Sequence, residues 1–226
     1  MSQPATAMPL LLAFTPDLAD LLRPRRCLVR YPLDRRASIK DIIESLDIPH
    51  TEIGEILDRN GRPLDFSYLP QSGDRLTVRG PQAPVRLSTP TPLRPATLSE
   101  ARFLADANVA RLGRLLRLVG LDTAVVTDEA DEAIAERAAA EKRILLSRDR
   151  DLLKRRIVQH GRLVRAEEPY RQLVEIVTLY GLSSHLAPFS RCAACNTLLE
   201  PVDKATVLHR LEPLTSRYYH TFTRCP

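Results

Sequence analysis

The sequence predicts an α/β protein made of two units with different strand–helix grammar, followed by a small cysteine module. Three observations carry this reading: a proline-rich break between Gly80 and Thr97, regular alternation of strands and helices after it, and a Cys-x-x-Cys at Cys192 and Cys195. At 226 residues the chain exceeds one typical domain, and 44% hydrophobic with 27% charged residues excludes wholesale disorder, collagen and coiled coil. The units are placed at residues 8–80, 98–182 and 188–226, with 81–97 as a stiff, extended linker carrying Pro81, Pro84, Pro90, Pro92 and Pro95.

In the first unit, Leu10 to Phe14 and Cys27 to Leu33 read as strands. Ser38 with Asp41 three residues later caps a helix whose Ile39, Ile42, Ile43 and Leu46 share one face. Asn60-Gly61 predicts a hairpin between Glu55 to Arg59 and Leu64 to Tyr68, and Arg75 to Val78 alternates as a last strand. Two strands, a helix and further strands in this order suggest a ubiquitin-like β-grasp.

The second unit starts with a short apolar strand, Ala101 to Ala105. A helix follows, with Val109, Leu112, Leu116 and Val119 on one face, and Gly120 stops it. Thr123 to Thr127 is a second strand, Ala130 to Ala140 a helix, and Ile144 to Ser147 a third strand. A helix after Asp149, a strand at Leu163 to Arg165 and a helix from Pro169 complete the series. Alternation of this kind implies a mostly parallel sheet covered by helices on both faces.

Ligands of such sheets bind outside the carboxyl ends of the strands, and acidic residues stand at three of those ends. Asp106 follows the first strand, Asp128 and Asp131 the second, Asp149 and Asp151 the third. Carboxylates converging on one rim repel one another unless a cation shares the space, and an oxygen-rich set selects Mg²⁺ or Mn²⁺, which suit phosphodiester hydrolysis. An Asp after a strand is equally an ordinary helix N-cap, so any one of them alone carries little. Glu132, Glu136 and Glu141 read as a solvated helix face, with Glu132 near enough to compete with Asp131.

The stretches Phe103-Leu104-Ala105-Asp106-Ala107-Asn108, Arg111-Leu112-Gly113-Arg114-Leu115-Leu116-Arg117 onward to Thr123, and Arg143 to Leu153 with Ser147-Arg148-Asp149-Arg150-Asp151 at its centre resemble the Mut-seven C-terminal ribonuclease domain, a PIN-like family. Many bacterial members carry an N-terminal ubiquitin-like domain and a C-terminal zinc ribbon. The resemblance implies a metal-dependent ribonuclease acting on RNA, with Asp106, Asp149 and Asp151 at the acidic metal positions and Asp131 matching the carboxylate ahead of the middle helix. Together these would hold one or two Mg²⁺ or Mn²⁺ ions. Asn108 would orient a ligand or water, or only start its helix. A noncatalytic RNA-binding or partner-recruiting protein with the same fold is the competing class.

Lys supplies only 4 of the 33 basic residues, so the net charge of +5 is almost all guanidinium, which permits phosphate recognition without demonstrating it. Arg111, Arg114 and Arg117 recur every three residues and are expected to stand off the apolar face of their helix, as a path for RNA or a solvated surface. Arg148 and Arg150 flank Asp149 and could balance the acidic site. With no Trp, five Phe and six Tyr, a series of base-stacking platforms is not evident.

Cys192, Cys195 and Cys225 have the spacing of a zinc knuckle and one further thiolate, which leaves a tetrahedral site one ligand short. The family resemblance places a second cysteine pair where Cys225-Pro226 stands, so an incomplete ribbon is expected, with His209 or His220 as a substitute ligand; Cys27 reads as a buried small hydrophobe. The β-grasp unit resembles sulfur carriers, but those need a free Gly-Gly end, and here Gly80-Pro81 runs on into the linker. A docking surface for substrate, a protein partner or the nuclease unit itself is the expected role, with a stabilising appendage as the alternative. The longest apolar run, Ala7 to Phe14, is far shorter than the roughly 20 residues of a membrane span and has no basic residue before it, so neither anchor nor secretion signal is read and a cytoplasmic setting is expected.

Overall fold

The computed structural model describes residues 8–226; Ala7, where the apolar run begins, lies outside them. The first unit contains β1 (Leu10–Phe14), α1 (Pro16–Ala19), β2 (Leu28–Tyr31), α2 (Ile39–Ser45), β3 (Glu55–Leu57) and β4 (Arg75–Arg79). Its strands lie in the order β2-β1-β4-β3, with β1 parallel to β4 and the outer pairs antiparallel, the mixed sheet of a β-grasp. The predicted capping box forms, Ser38 accepting from the Asp41 amide while the Asp41 carboxylate reaches back to Ser38.

The expected hairpin forms only in part. Gly61 turns the chain with φ +78° and Leu57 bridges Pro63, but residues 64–68 are not a strand. Asp65 Oδ1 accepts from the Ser67 amide and hydroxyl, a local turn that competes with a ladder.

The second unit follows as β5 (Phe103–Ala105), α3 (Ala110–Leu118), β6 (Thr123–Val125), α4 (Asp131–Ala140), β7 (Ile144–Ser147), α5 (Arg150–Lys154), β8 (Gly161–Leu163) and α6 (Pro169–Leu179). All three pairings in the order β6-β5-β7-β8 are parallel. Strand side chains alternate between faces. Phe103, Ala105, Ile144 and Leu146 pack with Val109, Leu112, Leu116 and Ile176 on one side, while Leu104 and Leu145 face the other. Helix α3 sits close to the sheet because Gly113 has no side chain: a Cβ there would lie 2.6 Å from Val125 and 3.0 Å from Ala105. Gly120, with φ +92°, ends that helix as expected.

The two units share a core. Leu104, Leu145, Leu152, Leu153 and Ile134 belong to the same buried cluster as Leu10, Leu18, Ile42 and Ile43 of the β-grasp. Across the contact Glu52, 0% exposed, accepts from the Leu163 amide at 2.8 Å and from Arg162 and Arg165, each at 2.7 Å. His50 joins Glu44 and the Val158 carbonyl, both at 2.7 Å.

Residues 81–97, expected as a stiff, extended linker, are anchored against both units. Leu93 is buried in the shared core, the Val85 amide bonds the Leu179 carbonyl, and the Arg94 guanidinium donates to the Thr51 and Ile53 carbonyls, each at 2.7 Å.

The C-terminal region holds β9 (Glu200–Val202), α7 (Lys204–Val207), α8 (Pro213–Tyr218) and β10 (Phe222–Arg224), with β9 and β10 antiparallel. No residue from 188 to 226 is buried. Among the described residues no helix is long and apolar enough to cross a membrane.

Candidate functional site

The order β6-β5-β7-β8 makes the chain leave β5 towards one side of the sheet and β7 towards the other. A crevice therefore opens between the carboxyl ends of β5 and β7, where open α/β sheets bind ligands. Asp106 follows β5, and Ser147 ends β7. The Ser147 hydroxyl donates to Asp106 Oδ2 at 2.8 Å and accepts from the Asp149 amide at 2.9 Å. Asn108 completes the lacing: its Nδ2 donates to Asp106 Oδ2 at 2.6 Å, and its Oδ1 accepts from the Arg148 amide at 3.0 Å. Ser147 was not anticipated from sequence. Its signal was present, a hydroxyl closing an apolar strand on the same rim as Asp106.

Both capping and convergence hold for these aspartates. Asp106 Oδ1 accepts from the Ala107 amide, and Asp149 Oδ1 accepts from the amides of Asp151 and Leu152. A carboxylate oxygen has two lone-pair positions. Asp106 Oδ2 and Asp149 Oδ1 are therefore filled, leaving one position on Asp106 Oδ1 and, among the described residues, no partner on Asp149 Oδ2. Asp106 is buried while Asp149 is exposed, so the pair runs from the crevice floor to its rim.

The wider acidic set expected from the sequence is not drawn into a single knot. Among the described residues no three carboxylates bring an oxygen each within 4.8 Å of one another. Asp151 points to solvent, its side chain 86% exposed, and pairs with Lys154 at 3.0 Å. Asp131 is the first residue of α4 on the same rim, half-buried, and Asp128 accepts from the Thr127 hydroxyl rather than capping that helix.

The arginines divide. Arg111 and Arg114 are exposed on α3, and Arg148 is exposed with one nitrogen on the Ala166 carbonyl at 2.9 Å. Arg117 corrects the expectation of an exposed basic row. It is buried, and its guanidinium donates to the carbonyls of Thr123, Ala193 and Ala194. Steps of three residues advance about 300° on a helix, so each arginine slips about 60° towards the apolar side. Arg150 also turns away from Asp149, donating to the Leu21 and Asp47 carbonyls and to the Asp47 carboxylate at 2.6 Å. Lys154 reaches the same carboxylate. Burial pushes the Asp47 carboxyl up, but Lys154 and Arg150 together hold it below the usual range. The β-grasp unit thus grips the short helix that displays Asp149 and Asp151.

At the other rim of the sheet, Cys192, Cys195 and Cys225 bring their sulfurs within 4.8 Å of one another. The Cys192 amide bonds the Thr197 carbonyl, and Asn196 takes φ +73°, closing the knuckle. Its hydrogen bond with the Thr197 hydroxyl draws the Cys195 thiol down to about 6, while Cys195 beside it pushes Cys225 up to about 12. Sulfurs gathered in this way suit a shared cation. Sulfurs 2.3 Å from a tetrahedral zinc lie about 3.8 Å apart, so the donor set fits a small zinc ribbon. Neither His209 nor His220 joins the cluster among the described residues. Cys27, expected to be buried, is exposed.

Comparison with known proteins agrees with this anatomy. The family model described as Mut7-C RNAse domain matches residues 101–226, and that described as Mut7-C ubiquitin matches residues 8–86. No curated protein matches the chain. No solved structure matches it. A match over more than half of the residues, on a parallel sheet with its acidic crevice, makes the chain a member of the Mut7-C RNAse domain family with a Mut7-C ubiquitin domain before it.

Proposed function

We propose that the protein is a metal-dependent ribonuclease whose site is the crevice between β5 and β7. The observation that carries this reading is the Asp106–Ser147–Asn108–Asp149 lacing at the switch point of a sheet whose family is named for RNase activity. Asp106 and Asp149 are the ligands proposed for Mg²⁺ or Mn²⁺, through the free positions on Asp106 Oδ1 and Asp149 Oδ2, with Asp131 and Asp151 available on the same rim. A divalent ion held there supplies positive charge beside a scissile phosphate and acidifies a bound water.

The chain's own groups do the positioning. Ser147 and Asn108 fix Asp106, and the amides of Asp151 and Leu152 fix Asp149, so neither carboxylate needs to reorganise. Arg111, Arg114 and Arg148 are the proposed phosphate contacts, each adding to the salt dependence of RNA binding. The exposed faces of the β-grasp unit are left to a protein partner.

Asp149→Asn is the decisive substitution because it separates two roles. An amide oxygen still accepts from the helix amides, whereas the NH₂ that replaces the second oxygen cannot ligate a cation. The expected outcome is a fall of at least about 100-fold in cleavage of labelled RNA in Mg²⁺ or Mn²⁺, with an unchanged melting temperature. Unaltered cleavage would refute the site. The absence of a three-carboxylate knot among the described residues favours one other reading, a noncatalytic RNA binder. Salt-dependent binding of RNA without metal-dependent products would establish it.

A further inference from the structure

A cavity of about 270 Å³ lies where the β-grasp unit, residues 81–96 and the start of β8 meet. It is on the opposite rim of the sheet from Asp106, since His160 and Gly161 stand at the amino end of β8. Val85, Leu87 and Leu179 give it apolar walls, and Arg94, Arg162 and Tyr180 also line it.

The charges beside this cavity do not balance. Arg162 and Arg165 share Glu52, and Arg162 also holds Glu175 at 3.0 Å. Arg94 grips the carbonyls on either side of Glu52, yet among the described residues it has no carboxylate within 4.0 Å. Arg94, Arg162 and Arg165 against Glu52 and Glu175 leave one positive charge behind the cavity wall, which is costly without a counter-charge, and the exposed Arg86 adds a further guanidinium to the lining. Burial lowers the Arg94 pKa, the direction expected of a cation short of partners. One hydroxyl adds to the deficit: that of Thr51, on the cavity wall, is buried without a partner. The Tyr180 hydroxyl, on a half-buried residue of the same lining, makes no hydrogen bond among the described residues.

We propose that this cavity binds a small organic monocarboxylate, its apolar body against Val85, Leu87 and Leu179 and its single negative charge facing Arg94 and the Tyr180 hydroxyl. One charge neutralises the surplus of the partly buried set Arg94, Arg162, Arg165, Glu52 and Glu175, and the exposed Arg86 keeps its solvent. The inference stands apart from the nuclease assignment, because its groups lie on the other rim and its readout is binding.

Titration calorimetry and thermal shift on the full chain, with benzoate as probe and benzamide as its uncharged counterpart, test it. Benzoate is expected to bind saturably with Kd below about 1 mM and to raise the melting temperature, with benzamide at least about tenfold weaker. Val85→Phe, which fills the cavity with apolar surface, and Arg94→Gln should each abolish benzoate binding. Equal binding of the two probes to the unsubstituted protein, no saturable binding of benzoate, or full binding by Val85→Phe would overturn the proposal. The probe comparison requires no variant, so a misfolded Arg94→Gln would not rescue it.

Discussion

The nuclease-family unit carries an attachment at each end, and the two are held in different ways. The β-grasp unit joins through a continuous apolar core, closed by the Arg162–Glu52–Arg165 cluster and by Asp47 bridging Arg150 and Lys154. The cysteine region has no buried residue from 188 onward and docks through hydrogen bonds: Arg117 on the knuckle carbonyls, Asn196 on Asp122 and the Thr123 amide, Arg191 on the Gly120 carbonyl and the Phe189 amide on the Leu118 carbonyl. Apolar burial contributes roughly 25 cal/mol per Å², so the first attachment is intrinsically stable. The second lacks that source, and its three clustered sulfurs offer ligands through which a metal could supply the missing stability. One attachment should therefore survive a chelator that dismantles the other.

Metal removal should have the largest effect. Structural zinc contributes about 10–16 kcal/mol to small cysteine modules, far more than the polar contacts here. Elemental analysis should find zinc, and EDTA or Cys195→Ser should expose residues 188–226 to limited proteolysis while 8–182 stays resistant. Equal protection with and without metal would show that the module holds itself.

Glu52→Ala attacks the other attachment and ranks second. It leaves Arg162 and Arg165 facing each other across a dry contact, and losing one partner of a buried charge cluster costs about 3–5 kcal/mol. At about 2–4 °C per kcal/mol for a chain of this size, the melting temperature should drop by roughly 10 °C. A drop below about 2 °C would mean that the apolar core alone carries the contact.

The same contrast explains what could be read from the sequence. Local periodicity sufficed for the alternation after residue 101, for the Ser38 cap and for the strand ends that place Asp106 and Asp149 on one rim. It could not reveal Glu52, whose partners lie more than a hundred residues away, on β8 and just after it, and which carries no pattern of its own. Arg94 was hidden for a related reason: prolines on both sides suggest an extended solvated chain, and only the folded contact shows the guanidinium capturing carbonyls of the β-grasp unit. Arg117 misled because a three-residue spacing resembles a single face over one turn but drifts around the helix over two. The acidic set meets the same limit. A shared rim is fixed by topology, whereas approach within one ion's reach depends on rotamers and loop paths that spacing does not encode.

Asp122 offers the smallest and sharpest test, because it touches only the weaker attachment. It receives Arg143 at 2.6 Å and Asn196 at 2.9 Å, with Arg191 at 3.8 Å. Burial pushes its carboxyl up, but the hydrogen bonds from Arg143 and Asn196 and the charges of Arg143 and Arg191 hold it below the ordinary value of 3.8. The sign follows from the protons. A carboxyl depressed in the folded state stabilises fully above 3.8 and loses that contribution as pH falls through its lower folded value. Asp122→Ala should therefore cost about 1–2 kcal/mol near neutrality and progressively less under acid conditions. Measured by protease susceptibility of residues 188–226, the variant and the parent should keep their full difference above pH 3.8 and converge below it as pH falls through the folded value. A difference that persisted unchanged into acid would assign the docking to Arg117 and the backbone contacts rather than to this carboxylate.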